Sequence, residues 1–204
     1  PEVKRNEAAL KTAADAFVKE LTVGQITDAL DVSNLPFTEP EAGFNAALTE
    51  TMMADYREIA REKFFGPARG DAEIARAQAI QEMRSLYGVT NVNGSATLMK
   101  WPPEKFYPPI DGSHSYIKDE ALADAESEAD GAEVKDLYIE ATPQTADDIR
   151  AGRLPRYTLR YAVDENGQLV WHDVLDGGFG LTTDAIRSKT EASRQERVKR
   201  GQAA

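Results

Sequence analysis

The stretch "RYTLRYAVDENGQLVWHDV", residues 156–174, decides the fold class. Its first half alternates Tyr157, Leu159, Tyr161 and Val163, which places these four on one face of a strand. Its second half alternates likewise through Leu169 and Trp171. Between them "DENG" supplies Asn166-Gly167, the pair that tolerates positive φ at both centres of a two-residue hairpin turn. A β-hairpin is therefore expected in a chain whose other strong signals are helical.

Working back from the hairpin, "TADDIRAG" reads as a helix of one or two turns. Thr145 and Asp148 have the spacing of a capping box, with Asp where Glu or Gln is more usual. "EVKDLYIEA" before it reads as a strand through Val134, Leu137 and Ile139. Further back, Ser113 or Ser115 caps an expected helix over about 115–129. Ile117, Leu122 and Ala125 are its apolar face, Asp119 and Glu120 sit in its favourable first turns, and Gly131 ends it.

Residues 44–65 carry the longest helical stripe: Phe44, Leu48, Met52, Tyr56, Ile59 and Lys63, stopped by "FFGP". A second helix follows "RGD" with Ile74, Ala77, Ile80, Met83, Leu86 and Tyr87, ended by Gly88. A short link between two such helices predicts an antiparallel helix pair. Near the start, Leu10, Ala14, Phe17, Val18 and Leu21 predict a helix over 3–22. Gly24 is expected to interrupt it, with "QITDALDV" as a second short helix and "SNLPFTEPEAG" as a loop. "NVNGSATLMKW" reads as an Asn-Gly turn and a short strand. From Thr182 a last helix is expected, with almost no apolar face beyond Ile186.

The fold class is thus α+β. It is mostly helical, a helix pair plus shorter helices, with a small antiparallel β-hairpin sheet and a charged C-terminal helix. The expected segments are an N-terminal helical arm over 1–43, an α+β domain over 44–181 and a basic helical tail over 182–204.

Composition narrows the function. The chain of 204 residues holds 24 basic and 35 acidic residues, a net charge of −11, which disfavours nucleic acid as a bound partner. Twelve acidic residues against two lysines occupy 111–148, and six basic residues against two acidic ones occupy 187–200. These read either as solvated faces or as surfaces that attract each other or neighbouring copies. No apolar run approaches the roughly 18 residues of a membrane span. There is no cysteine, which excludes disulfides and thiolate sites.

Chemistry-bearing motifs are sparse. His114 and His172 lack a second ligand at helical spacing, and no phosphate-binding glycine motif or nucleophile elbow is present. "DENGQL" resembles the opening of a calcium loop but lacks the later acidic ligands, so it reads as a turn. Glu50 and Glu104 are the carboxylates worth naming for glycoside cleavage. Neither sits in an apolar context that would raise its acidity. No catalytic, metal or cofactor residue is assigned, and no cofactor is expected.

One segment stands apart. "LMKWPPEKFYPP", residues 98–109, concentrates four prolines with Trp101, Phe106 and Tyr107. Each proline removes a backbone donor, so neither a helix nor a central strand fits. Two readings follow: a stiff elbow packed within the chain, the first choice because aromatic residues are mostly buried in their own fold, or a docking surface. The elbow aromatics, with Ile186, Arg194, Arg197, Lys199 and Arg200 of the tail, are the expected protein-interface residues.

The order of elements resembles a known family. It runs "MADYREIAREKFF", "IARAQAIQEMRSLYG", "ATLMKWPPEKFYP", "SYIKDEALADA", "LRYAVDENGQLVWHDV" and a basic last helix. Over roughly 45–200 it is similar to the C-terminal region of the internal virion, or ejection, proteins of short-tailed phages. The resemblance implies a homo-oligomeric ring in the inner core, in contact with other core proteins or the portal. It implies release ahead of the genome and a conduit through the host envelope, with double-stranded DNA passing without specific binding. Localisation inside the capsid, then in the host envelope, follows from it. Some relatives carry a transglycosylase whose catalytic Glu lies in an "E-S" pair before a "G-x-M-Q" run. Here Glu126-Ser127 has no such run after it, so that activity is not implied. The other readings are a non-catalytic adaptor or scaffold domain of a bacterial assembly and, third, a peptidoglycan hydrolase.

Overall fold

The structure, a computed structural model, describes residues 2–32, 42–92, 95–105, 119–174 and 195. Its described elements form two units. One comprises residues 1–88, 98–100 and 145–153; the other comprises 89–97, 101–144 and 154–204. The first is helical and the second is built on a sheet, so the α+β class holds.

In the helical unit, α1 (Glu2–Lys19) and α2 (Val23–Ala29) precede the pair α3 (Ala42–Phe65) and α4 (Ala72–Leu86). The chain breaks before Gly24, not at it. Thr22 caps α2 through a capping box with Gln25, so Gly24 lies inside the second helix. Ala14 and Phe17 of α1, and Leu21 in the link that follows it, are buried with Leu48, Met52, Tyr56 and Phe64 of α3, and Phe17 stacks on Phe64 at 5.3 Å. The first helix therefore belongs to this core and is no separate arm over 1–43.

On α4 the buried face is Ala75, Ala79 and Met83, in steps of four, whereas Ile74 is 46% exposed. The stripe through Ile74 and Ala77 expected from hydrophobicity is corrected here. Small alanines toward the core let α3 and α4 approach closely, and the larger Ile74 faces outward. The short helix α6 (Ala146–Arg150) packs on α3 and adds Ile149 to the same core.

Helix α4 ends at Leu86 and the chain passes directly into β1 (Tyr87–Val92), which forms a two-stranded sheet with β2 (Ser95–Lys100). Tyr87 and Gly88 are strand residues, not the end of the helix. Tyr87 is fully buried. Its hydroxyl donates to Asp55 Oδ2 at 2.7 Å, and Lys100 Nζ donates to the same oxygen at 2.7 Å. This triad ties the strand ends to α3. Burial and the Asp55 charge push the Tyr87 phenol far up, and burial pushes that of Tyr56 up to about 12.

The Thr145–Asp148 capping box is present as expected. The Thr145 backbone N–H, then the Arg153 guanidinium and the Thr145 hydroxyl, hold the Asp148 carboxyl down at about 2. A depressed carboxylate contributes stability that is complete above its unfolded value and is lost as pH falls through the folded one. Urea unfolding of Asp148→Asn should therefore show less loss of stability between about pH 4 and 2 than the parent chain.

In the second unit, β3 (Val134–Ala141), β4 (Tyr157–Glu165) and β5 (Gln168–Asp173) form an antiparallel sheet in that order. The expected hairpin is β4–β5, closed by Asn166 at φ 56 and Gly167 at φ 84. The Gly167 N–H donates to Asp164 Oδ1 at 2.8 Å. A Cβ on Gly167 would meet nothing within 4 Å, so only the backbone opposes a side chain there. Gly167→Ala should cost about 1–2 kcal/mol in chemical unfolding.

The core face of the sheet carries Leu137, Ile139, Leu159, Tyr161 and Val163, packed with Ala125 of α5 (Asp119–Glu128). Leu122 of that helix is 40% exposed instead. Ser113, Ser115 and Ile117 lie outside the described residues. So does the expected tail over 182–204, apart from helical Gln195. No described helix is long and apolar enough to cross a membrane.

Candidate functional site

Of the residues expected to form an interface, the described structure contains Trp101. Phe106, Tyr107, Ile186, Arg194, Arg197, Lys199 and Arg200 lie outside it. Trp101 has φ 62 and is followed by Pro102. A bulky side chain at positive φ is disfavoured, and a following proline restricts the backbone further. Such a conformation costs about 1–3 kcal/mol and persists where surroundings impose it. Here the Tyr157 hydroxyl of β4 donates to the Trp101 carbonyl, and Pro102 and Pro103 are buried. The start of the elbow is thus bonded to its own sheet unit.

The carboxylates named for glycoside cleavage belong to different units. Glu50, 68% exposed, lies in the helical unit with Arg150 Nε at 3.7 Å. Glu104 sits in a 3-10 turn over Pro103–Lys105 of the other unit and accepts from the Thr90 hydroxyl at 2.6 Å. His172 is a half-exposed strand residue, its ring stacked on Tyr161 and its Nε2 3.3 Å from Glu165 Oε1. Among the described residues no group of three or more potential metal ligands comes together.

The structure instead assembles side chains on the outer face of the sheet. Register decides which. Tyr138 faces Arg160 across β3–β4, Arg160 faces Asp173 across β4–β5, and Ala162 faces Trp171. Leu169 and Trp171 therefore lie on the face opposite Leu159, Tyr161 and Val163. Arg160 is the hub. Its Nε donates to Asp173 Oδ1 at 2.8 Å and its Nη1 to the Tyr138 hydroxyl at 2.7 Å, with Glu140 Oε2 at 3.6 Å. Its guanidinium carbon lies 5.7 Å from the centre of the Tyr138 ring. Tyr138 meets Trp171 edge-on at 5.0 Å. Ala162, the small residue opposite Trp171, leaves room for the indole to reach across β4.

The electrostatics are balanced locally. Burial and the Glu140 charge push the Tyr138 phenol up, while Arg160 pulls it down. Side chains tied in this way have already lost much of their rotamer freedom, which lowers the entropy cost of docking. Tyr, Trp and Arg are also the residue types that dominate binding energy at protein interfaces. The half-buried Trp171 and the 31% exposed Arg160 form an ordered surface of that composition.

Part of this face is encoded locally in the hairpin sequence. A two-residue turn fixes Glu165 opposite Gln168 and so Trp171 opposite Ala162. The pairing with β3, which adds Tyr138 and Glu140, has no such local marker. The chain matches no protein-family model, no curated protein and no solved structure.

Proposed function

We propose that this chain is a non-catalytic assembly subunit that works by docking against other polypeptides. We place it in the internal core and ejection apparatus of a short-tailed phage. The observation that carries the docking reading is the Tyr138–Arg160–Trp171 surface, held in order by its own ion pairs and ring contacts. The resemblance in element order supplies the virion setting. There the subunit joins copies of itself into a ring, meets other core proteins or the portal, and enters the host envelope on infection. Acidic side chains such as Asp124, Glu126 and Glu128 on α5 suit a path for DNA that must not stick, because like charges repel.

Peptide mass spectrometry of purified particles tests the setting. The chain should be found in genome-filled particles and be missing from particles that have ejected their DNA. Its absence from filled particles, or full retention after ejection, contradicts the virion reading.

A further inference from the structure

The three-stranded sheet has two edges, and they differ. β3 is defended: its register with β4 shifts between Val134 and Asp136, it carries Lys135, and the turn over Pro103–Lys105 lies against it. Bulges, charges and covering segments are the devices that stop an edge from pairing with another chain. β5 lacks the bulge and the lysine, and among the described residues β4 is the element packed on it. Its register with β4 runs unbroken from Glu165↔Gln168 to Arg160↔Asp173, and it contains neither proline nor lysine.

The hairpin turn fixes which backbone groups of β5 are free. Glu165 and Gln168 are the first and last residues of the turn, so they form a hydrogen-bonded pair. Alternation then points the N–H and C=O of Gln168, Val170 and His172 toward β4. Donation from the Val174 N–H to the Leu159 carbonyl at 2.9 Å continues the same phase. Leu169, Trp171 and Asp173 therefore turn their backbone groups to the edge away from β4, which no other described strand pairs. Leu169 is also 56% exposed, the highest value among the exposed large apolar side chains of the described residues.

We propose that β5 pairs antiparallel with β5 of a second copy, centred on Val170, to make a continuous six-stranded sheet. A twofold axis through such a pair runs perpendicular to the sheet, so opposite residues must share a face. Centring on Val170 sets Leu169 against Trp171 of the second copy, Val170 against Val170, and Gln168 against His172. Centring on Trp171 would set Leu169 against Asp173 and leave its apolar surface beside a carboxylate. Charge favours the same site. The chain carries −11, but β5 holds one carboxylate, Asp173, already paired with Arg160 at 2.8 Å. Two copies repel least where their charge is neutralised.

The pairing is isologous and closes after two copies. It is independent of the virion reading, because a ring needs a different surface.

The absence of cysteine permits a direct test in the full chain. A central pair that is not hydrogen-bonded to its opposite holds its Cα atoms about 4.5 Å apart, within disulfide reach of about 4.4–6.8 Å. Under mild oxidation Val170→Cys should give a covalent dimer at least tenfold faster than Leu169→Cys. Adding Leu169→Lys to Val170→Cys should reduce cross-linking to the slow rate. Sedimentation of Leu169→Lys without any cysteine should show at least a tenfold weaker dimer than the parent chain. Equal cross-linking at 170 and 169, faster cross-linking by Trp171→Cys, or unchanged sedimentation of Leu169→Lys overturns the proposal.

Discussion

Tyr87→Ala should destabilise the helical unit by about 3–5 kcal/mol, the range for deleting a large ring from a packed core. Tyr87 is fully buried at the point where α4 gives way to β1, and its side chain is among the largest with no exposed surface. Tyr87→Phe separates the ring from its hydroxyl. It keeps the packing but removes donation to Asp55, a hydrogen bond to a carboxylate worth about 1.5–3 kcal/mol. Lys100 remains on the same carboxylate, which places the Phe variant at the lower part of that range. Urea unfolding followed by far-ultraviolet circular dichroism measures both. Near-equal losses would mean that the hydroxyl, and not the packing, holds the junction. A loss below about 1 kcal/mol for Tyr87→Ala would contradict the core described above.

Arg160→Ala should weaken association with other polypeptides by about 2 kcal/mol or more, roughly thirtyfold, as expected of an interface anchor. The guanidinium joins Tyr138, Glu140 and Asp173, and its loss releases the phenol and the carboxylates together. The cost to folding should be smaller, about 1–3 kcal/mol, because Arg160 lies on the outer face and takes no part in the apolar core. Arg160→Lys distinguishes geometry from charge. Lysine keeps the positive charge but lacks the planar fork that reaches three partners at once. Association by Arg160→Lys should therefore be weakened nearly as much as by Arg160→Ala. Full activity in the lysine variant would reduce the surface to a simple charge effect.

What was legible in the sequence was local. The hairpin could be read because its turn and both strands lie within nineteen consecutive residues, 156–174, and the Asn166-Gly167 dipeptide fixes their register. The Thr145 capping box and the Leu48–Met52–Tyr56 stripe were readable for the same reason. Helix α4 was harder, because hydrophobicity favours Ile74 while the approach of α3 favours Ala75 and Ala79. Strand β1 was hidden because no glycine or proline separates Leu86 from Tyr87, and one extended residue changes the element. The outer face of the sheet depends on pairing β3 with β4 across α6 and through a bulge near Val134. That register is decided by packing, and Tyr138 gave no sign of meeting Trp171. The positive φ of Trp101 is imposed by its surroundings, so composition identified the elbow but not its strain.

Sedimentation velocity of the full chain beside its Arg160→Ala variant tests the docking account most directly. The parent chain should assemble beyond two copies of 22.4 kDa, and the variant, still folded, should stop at two or fewer. A single copy at every concentration, or the same distribution for both proteins, would contradict it.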